Sequence, residues 1–337
     1  MKSKKFCAAF CVALTVIFAS HCLSSCSLIP GYTEPEEQAI VSAIGFDVAS
    51  DSVRVTVGIS EEGGKQSRTL TGEGESIEEA VSYISASETS TLEVAHLAII
   101  VLGRGIDSSW FGKIMDFCDR NEEISIAAQL VSCSDAEALL SADGASGYDI
   151  SGAISSRREG SSVGAEARLY QVKGAILSSD PVFALPYFVT DGGAFELMGV
   201  RIYRGGEALA VLDRNETAYY MMMRSLFDRG ILGGDAPGLS GSVGISECKT
   251  KYEFKRDGDA VLLTVRCSVV LDSELASDEY AEEILQAAAK NMEKLYIELS
   301  SRHGDVFGFS SAAAREGIES DRLFESLVVS FECEERG

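Results

Sequence analysis

The sequence predicts an α+β protein of several domains, each a mostly antiparallel or mixed sheet flanked by helices. Three patterns carry that expectation. Short runs that alternate apolar and polar residues are interleaved with helical repeats over the first half of the chain. A Gly- and Ser-rich stretch, Asp143 to Gly164, then breaks the composition. Near the C-terminus a hairpin pattern is followed by one long helical repeat, Ser277 to Arg302.

The elements follow in order. Lys2, Lys4 and Lys5 precede an uncharged, mostly apolar run from Phe6 to Ser20. That run is shorter than the ~20 residues a spanning helix needs, so residues 1–25 are expected to be a cleaved export leader. Residues 26–37, with two prolines and several acids, read as a tether. An N-terminal mixed α/β domain is expected over 38–142. Ala39 to Val48 and Val53 to Ile59 read as strands, and Glu61 to Lys65 (EEGGK) as the turn into a third near Ser67. Ser76 to Glu79 forms a capping box ahead of a helix with Ile77, Ala80, Val81 and Ile84 on one face. Ala95 to Leu102 is a continuous apolar run suited to a central strand that His96 begins. A helix over Trp110 to Cys118, a strand over Ile124 to Val131 and a short helix capped within Ser134 to Glu137 complete the domain.

Residues 143–195 are expected to be a small middle domain, with the Gly/Ser-rich segment as its boundary loop. Residues 196–337 are expected to form a C-terminal sheet with a long covering helix. There Leu197 to Tyr203 and Ala208 to Leu212 pair around Gly205-Gly206, and Asp213 starts a helix carrying Tyr219, Met222, Met223 and Leu226. With Asp257-Gly258 as a two-residue turn, Phe254 is expected opposite Val261, Tyr252 opposite Leu263, Thr250 opposite Val265 and Cys248 opposite Cys267. The long helix buries Ala281, Ile284, Leu285, Ala288, Met292, Leu295 and Leu299 and stops at Gly304. A last strand, Leu327 to Glu334, turns Val329, Phe331 and Cys333 inward.

Charge narrows the partners. Removing the leader takes away three lysines and no acid, so the formal charge of the remaining 312 residues goes from −23 to −26. Such a surface repels phosphate backbones, so no nucleic-acid partner is expected. Of nine cysteines, Cys118, Cys133, Cys248, Cys267 and Cys333 remain beyond Cys26. An odd number at wide spacing is no disulfide framework, and without a C-x-x-C pair no metal or cofactor is expected. Cys248 and Cys267 are expected as two packed thiols, with a cross-strand disulfide as the alternative.

No catalytic cluster converges. Gly160-Ser161-Ser162-Val163-Gly164 has the spacing of a nucleophile elbow, and His303 could act as the base of a Ser162 triad. The elbow, however, needs a strand before and a helix after it, and charged residues in a Gly/Ser-rich segment precede this one. His303 in the last turn of a helix is explained by the helix dipole, and His96 by a strand-end position. The run Tyr219 to Met223 reads as core, with an adaptable contact surface as the alternative.

Leu23-Ser24-Ser25-Cys26 resembles the lipobox of bacterial lipoproteins. That resemblance implies a thioether-linked diacylglycerol on Cys26, whose two acyl chains suffice for stable anchoring. With the lipobox, four further strings in the same order resemble the Ger(x)C family, lipoprotein subunits of spore germinant receptors. They are Ala39 to Asp47, His96 to Val101, Leu212 to Thr217, and the long helix followed by Asp305-Val306-Phe307-Gly308-Phe309. The resemblance implies a three-domain, non-enzymatic subunit on the outer face of the cytoplasmic (inner spore) membrane. Its partners would be a GerA-type and a GerB-type membrane subunit. An extracytoplasmic solute-binding lipoprotein of a transport system is the alternative.

Overall fold

The computed structural model describes residues 38–60, 66–160, 167–233, 242–258, 260–272, 278–318 and 327–336. Strand β1 (Gln38–Ala49) is buried along nearly its whole length, as a strand with helices on both sides must be. It pairs antiparallel with β2 (Ser52–Ser60), which pairs with β3 (Gln66–Gly74), and β4 (Thr91–Glu93) lies beside its start. On its other side β5 (Ile99–Leu102), β6 (Gln129–Cys133) and β7 (Val182–Asp191) run parallel to it. Antiparallel β8 (Ala194–Arg204) and β9 (Glu207–Leu212) finish the sheet, in the order β3-β2-β1-β5-β6-β7-β8-β9.

Helices α1 (Ile77–Ser87), α2 (Ser108–Arg120), α3 (Ala136–Leu140), α4 (Gly147–Gly160) and α5 (Leu169–Ile176) cover this sheet. One face packs Ile84 of α1, Ile114 of α2 and Leu169 of α5 on Phe46, Leu102 and Leu130. The opposite face packs Leu139 of α3 and Ile150 of α4 on Ala43, Ile99 and Val131. Gly45 permits that second layer: a Cβ there would stand 2.9 Å from the Ala136 Cβ.

Beyond Leu212, α6 (Arg214–Met223) leads to a second sheet of β10 (Gly230–Gly233), β11 (Ser242–Asp257) and β12 (Ala260–Leu271). Then come α7 (Asp278–His303), α8 (Phe309–Arg315) and β13 (Leu327–Glu335), which pairs parallel with β12. The inner face of this sheet, α6 and α7 form one core with Val182, Val200, Ile202 and Leu212 of the first sheet. The outer face is polar, with Arg266 paired to Glu253 at 2.8 Å and to Glu332 at 2.7 Å.

Several expectations are corrected. The first sheet runs from Gln38 to Leu212, so the boundaries expected at 142/143 and 195/196 fall inside one sheet. The Gly/Ser-rich stretch is in large part α4, because Ser146 accepts the Asp149 N–H at 3.1 Å and Ile150 and Ile154, one turn apart, reach the core. The strand expected from Ala95 begins at Ile99. Val94 to Leu97 closes a turn, its carbonyl accepting the Leu97 N–H at 3.0 Å, and His96 is exposed in that turn. The strand expected from Ile124 begins at Gln129 for the same kind of reason, with turns at Asn121 and Ser125.

The cap of α3, expected within Ser134 to Glu137, is Asp135, which accepts the Ala138 N–H at 2.8 Å. Leu226 lies beyond α6 and is exposed. In the β11–β12 hairpin Asp257 faces Ala260, so Gly258, at φ 61, opens the loop. The pairs become Phe254 with Leu263, Tyr252 with Val265, Thr250 with Cys267 and Cys248 with Val269. A slip of two residues keeps every side chain on its face, which is why burial alone does not exclude it. The Glu61 to Lys65 turn lies outside the described residues.

Candidate functional site

The carboxyl ends of β1, β5 and β6 are drawn together by one buried carboxylate. Asp47 closes the Ala39 to Asp47 string and is 2% exposed. Its Oδ1 accepts the Arg104 N–H at 3.0 Å, both oxygens accept the Ala136 N–H at 3.0 Å, and Oδ2 accepts the Glu137 N–H at 3.1 Å. These donors belong to the loop after β5 and the first turn of α3, whose amides have no partner within the helix. Gly103 makes room, since a Cβ there would lie 2.1 Å from Oδ1.

Beside this bracket is an open cleft of about 510 Å3, bordered by Arg104, Asp107, Arg201, Tyr203 and Glu207. Its cations are engaged within the fold. Arg104 pairs with Asp135 at 3.4 Å, while Arg201 donates to the Cys133 carbonyl at 3.2 Å and stacks 4.5 Å over the Tyr187 ring. The hydroxyls of Tyr203 and Ser132 share a hydrogen bond of 2.9 Å. Burial pushes the Cys133 thiol up to about 12, so it stays protonated at neutral pH and is a poor nucleophile.

A second constellation joins the two sheets. Asp213 and Glu216 close a capping box at the start of α6, each side chain accepting the other's backbone N–H, at 2.9 and 3.0 Å. Tyr219 to Met223 are all buried, and the Thr250 and Tyr252 hydroxyls donate to the Met222 and Met223 carbonyls at 2.7 and 2.8 Å. The Asp305 carboxylate accepts the amides of Phe307, Gly308, Phe309 and Ser310 at 2.7–3.2 Å, folding the Asp305 to Phe309 string into a tight loop.

Arg204, at the end of β8, donates to the carbonyls of His303 and Asp305 at 2.5 and 2.8 Å, so a first-sheet cation holds the C-terminal end of the long helix. Arg224 donates to the Tyr220 hydroxyl at 2.9 Å and the Val182 carbonyl at 3.4 Å. Burial works against its charge, but Tyr220 and Asp180 outweigh it and hold the guanidinium's pKa up. Burial, and then the repulsion of Asp305, raise the Asp180 carboxyl above its ordinary range. A cleft of about 260 Å3 at this joint is bordered by Asp180, Arg224, Tyr252 and Arg315.

The residues singled out from the sequence fare differently. Cys26 and Ser162 lie outside the described residues. His303 ends α7, with its carbonyl bound to Arg204, and His96 sits in an exposed turn. The Tyr219 to Met223 run is core. Cys248 and Cys267 are free thiols, Cys267 facing Cys333 across β12 and β13. The Cys267 thiol shares a hydrogen bond of 3.6 Å with the Thr250 hydroxyl. Among the described residues no three His, Cys, Asp or Glu side chains are grouped to hold a metal ion. Asp47, Asp305, Arg204 and Arg224 were not singled out for a role. Asp47 and Asp305 each lie at an end of a family-like string, which is the signal they left; the two arginines left none.

Residues 31–190 match the sequence model of the spore germination protein N-terminal domain. Among solved structures, the crystal structure of the GerBC protein is similar at 13% identity, over 87% of this chain and 97% of that chain, with a TM-score of 0.44. No curated protein sequence matches. The matched segment contains β1, β5 and β6, the Asp47 bracket and nearly all of β7, and it supports a GerAC-type family of spore germination proteins for this part of the chain.

Proposed function

We propose that this chain is a lipid-anchored, non-catalytic subunit of a germinant receptor, needed for nutrient-triggered germination and acting through contacts with a GerA-type and a GerB-type membrane subunit. The observation that carries the reading is the spore germination domain over residues 31–190. The lipobox at Leu23 to Cys26 supports attachment to the outer face of the cytoplasmic (inner spore) membrane. Two acyl chains at about 0.8 kcal/mol per buried CH2 supply the anchor. No helix among the described residues is long and apolar enough to cross a membrane. The engaged arginines of the 510 Å3 cleft favour a structural part over a solute receptor.

Release of dipicolinic acid from germinant-treated spores tests this. A deletion is expected to abolish the response to at least one germinant, and Cys26→Ala to reduce it severalfold. Normal release from both with every germinant, in a strain lacking paralogous receptors, would overturn the proposal. A saturable germinant-dependent rise in melting temperature of the purified chain would favour the solute-binding alternative.

A further inference from the structure

We propose that the amino end of the first sheet is the face this protein lays on the bilayer surface, with Ile126, Tyr170 and Leu177 entering the headgroup region. The proposal rests on the lipid anchor at Cys26 and adds the orientation. Because β1, β5, β6 and β7 are parallel, their amino ends point the same way, and the chain enters this sheet at Gln38, the start of β1. Residues 26–37 separate that point from the anchor. Twelve residues reach at most about 40 Å when extended, and roughly 20 Å on average as a flexible chain. The anchor therefore keeps this end of the sheet, rather than the opposite one, next to the membrane.

The connections at this end carry exposed apolar side chains. Ile126, 63% exposed, lies in the turn before β6. The Tyr170 N–H donates to the Ile126 carbonyl at 3.1 Å, which seats the first turn of α5 against that turn. Tyr170 is 51% exposed, and Leu177, seven residues on and on the same side of the helix, is 87% exposed. Gly174, between them, is also exposed, and Lys173 is bound to Asp119. Helix α5 thus buries Leu169 and Val172 and presents Tyr170 outward, with the exposed Leu177 capping its end.

A single exposed leucine needs no explanation. Isoleucine, tyrosine and leucine together beside the tether's point of entry form a small surface with an apolar body and a polar tip, the chemistry of the membrane interface. Glu122 and Glu123 border it and the whole chain is acidic, so the face does not bind lipid strongly by itself. It engages because the anchor holds it at high local concentration.

The test uses the lipidated chain in vesicles of phosphatidylcholine and phosphatidylglycerol containing a nitroxide-labelled lipid. A fluorophore is placed on Leu177→Cys or on Asp51→Cys, the latter exposed in the turn after β1 at the opposite end of the sheet. Quenching is expected to be at least threefold stronger at position 177, with Tyr170→Cys behaving like Leu177→Cys. Equal or reversed quenching, on a chain whose mass shows diacylglycerol on Cys26, overturns the orientation and leaves the anchor standing. Shielding of 177 only when the membrane subunits are present assigns the face to a protein partner and also overturns it. A mass without diacylglycerol on Cys26 overturns anchor and orientation together.

Discussion

The two ends of the first sheet are finished by opposite means. At the carboxyl end, chain leaving β5 and β6 runs into helices, whose first amides need acceptors, and Asp47 supplies them from within the fold. At the amino end, chain arrives from turns and helix ends whose amides are already bonded, as Leu97 is to Val94 and Ala128 to Ser125. No central carboxylate is required there, and the outward residues are free to be apolar. The difference teaches that one end of the sheet is built for its own stability, while the other has residues the fold does not use.

The largest effect should follow from breaking the carboxyl end. Asp47→Ala leaves the buried amide of Ala136 and the part-buried amides of Arg104 and Glu137 without that acceptor. The loss is expected to be about 3 kcal/mol or more, by analogy with other buried polar groups stripped of a charged partner. Trp110, the only tryptophan, is buried on α2 and reports unfolding by urea. Gly103→Ala should fall in the same range, since its Cβ and the Asp47 Oδ1 cannot both keep their places. A change under about 1 kcal/mol in both would mean the loops rearrange to find other acceptors, and the bracket would lose its standing.

The contrast is sharpened at the amino end. Ile126→Ser and Leu177→Ser replace side chains 63% and 87% exposed, so unfolding of the purified chain should shift by no more than about 0.5 kcal/mol. A loss beyond about 1 kcal/mol in either would show that it packs against the protein and is not held out for another surface.

Much of the first sheet was legible because its strands alternate or run apolar and its helices carry short caps. Ser76 accepts the Glu79 N–H as the capping box requires, although the Glu79 carboxylate reaches back to the Glu75 N–H instead of the cap's own. Strand entries were less legible: Ala95 to Ala98, mostly apolar, runs without a break in pattern into the strand it precedes, and only the turn closed by Val94 separates them. Helix α4 was hidden by composition, since its glycines and serines outnumber the two isoleucines that place it. The hairpin slipped by two because Asp257-Gly258 and Gly258-Asp259 are both turn sequences and both bury the same face.

The joint between the sheets was the least legible part. Arg204 and Arg224 reach carbonyls far away in sequence, those of His303, Asp305 and Val182, and no local pattern marks such a partner.

Asp180, just before β7, extends the comparison to a carboxylate at the amino end. Where amides surround Asp47, Asp180 meets burial and the charge of Asp305, only partly offset by Arg224 and Arg204, and its pKa is raised. A raised carboxyl binds its proton more tightly in the folded chain than in the unfolded one. Its contribution to stability is therefore fully present below the unfolded value, near 4, and is lost as pH rises through the folded value. Asp180→Asn cannot ionise, so it should melt with the wild type at pH 4 and about 1–2 °C above it at pH 7, the smallest of these effects. Melting curves across that range decide the sign. If the wild type gains on the variant as pH rises, the two arginines outweigh burial and Asp305, and the fold favours the ionised Asp180.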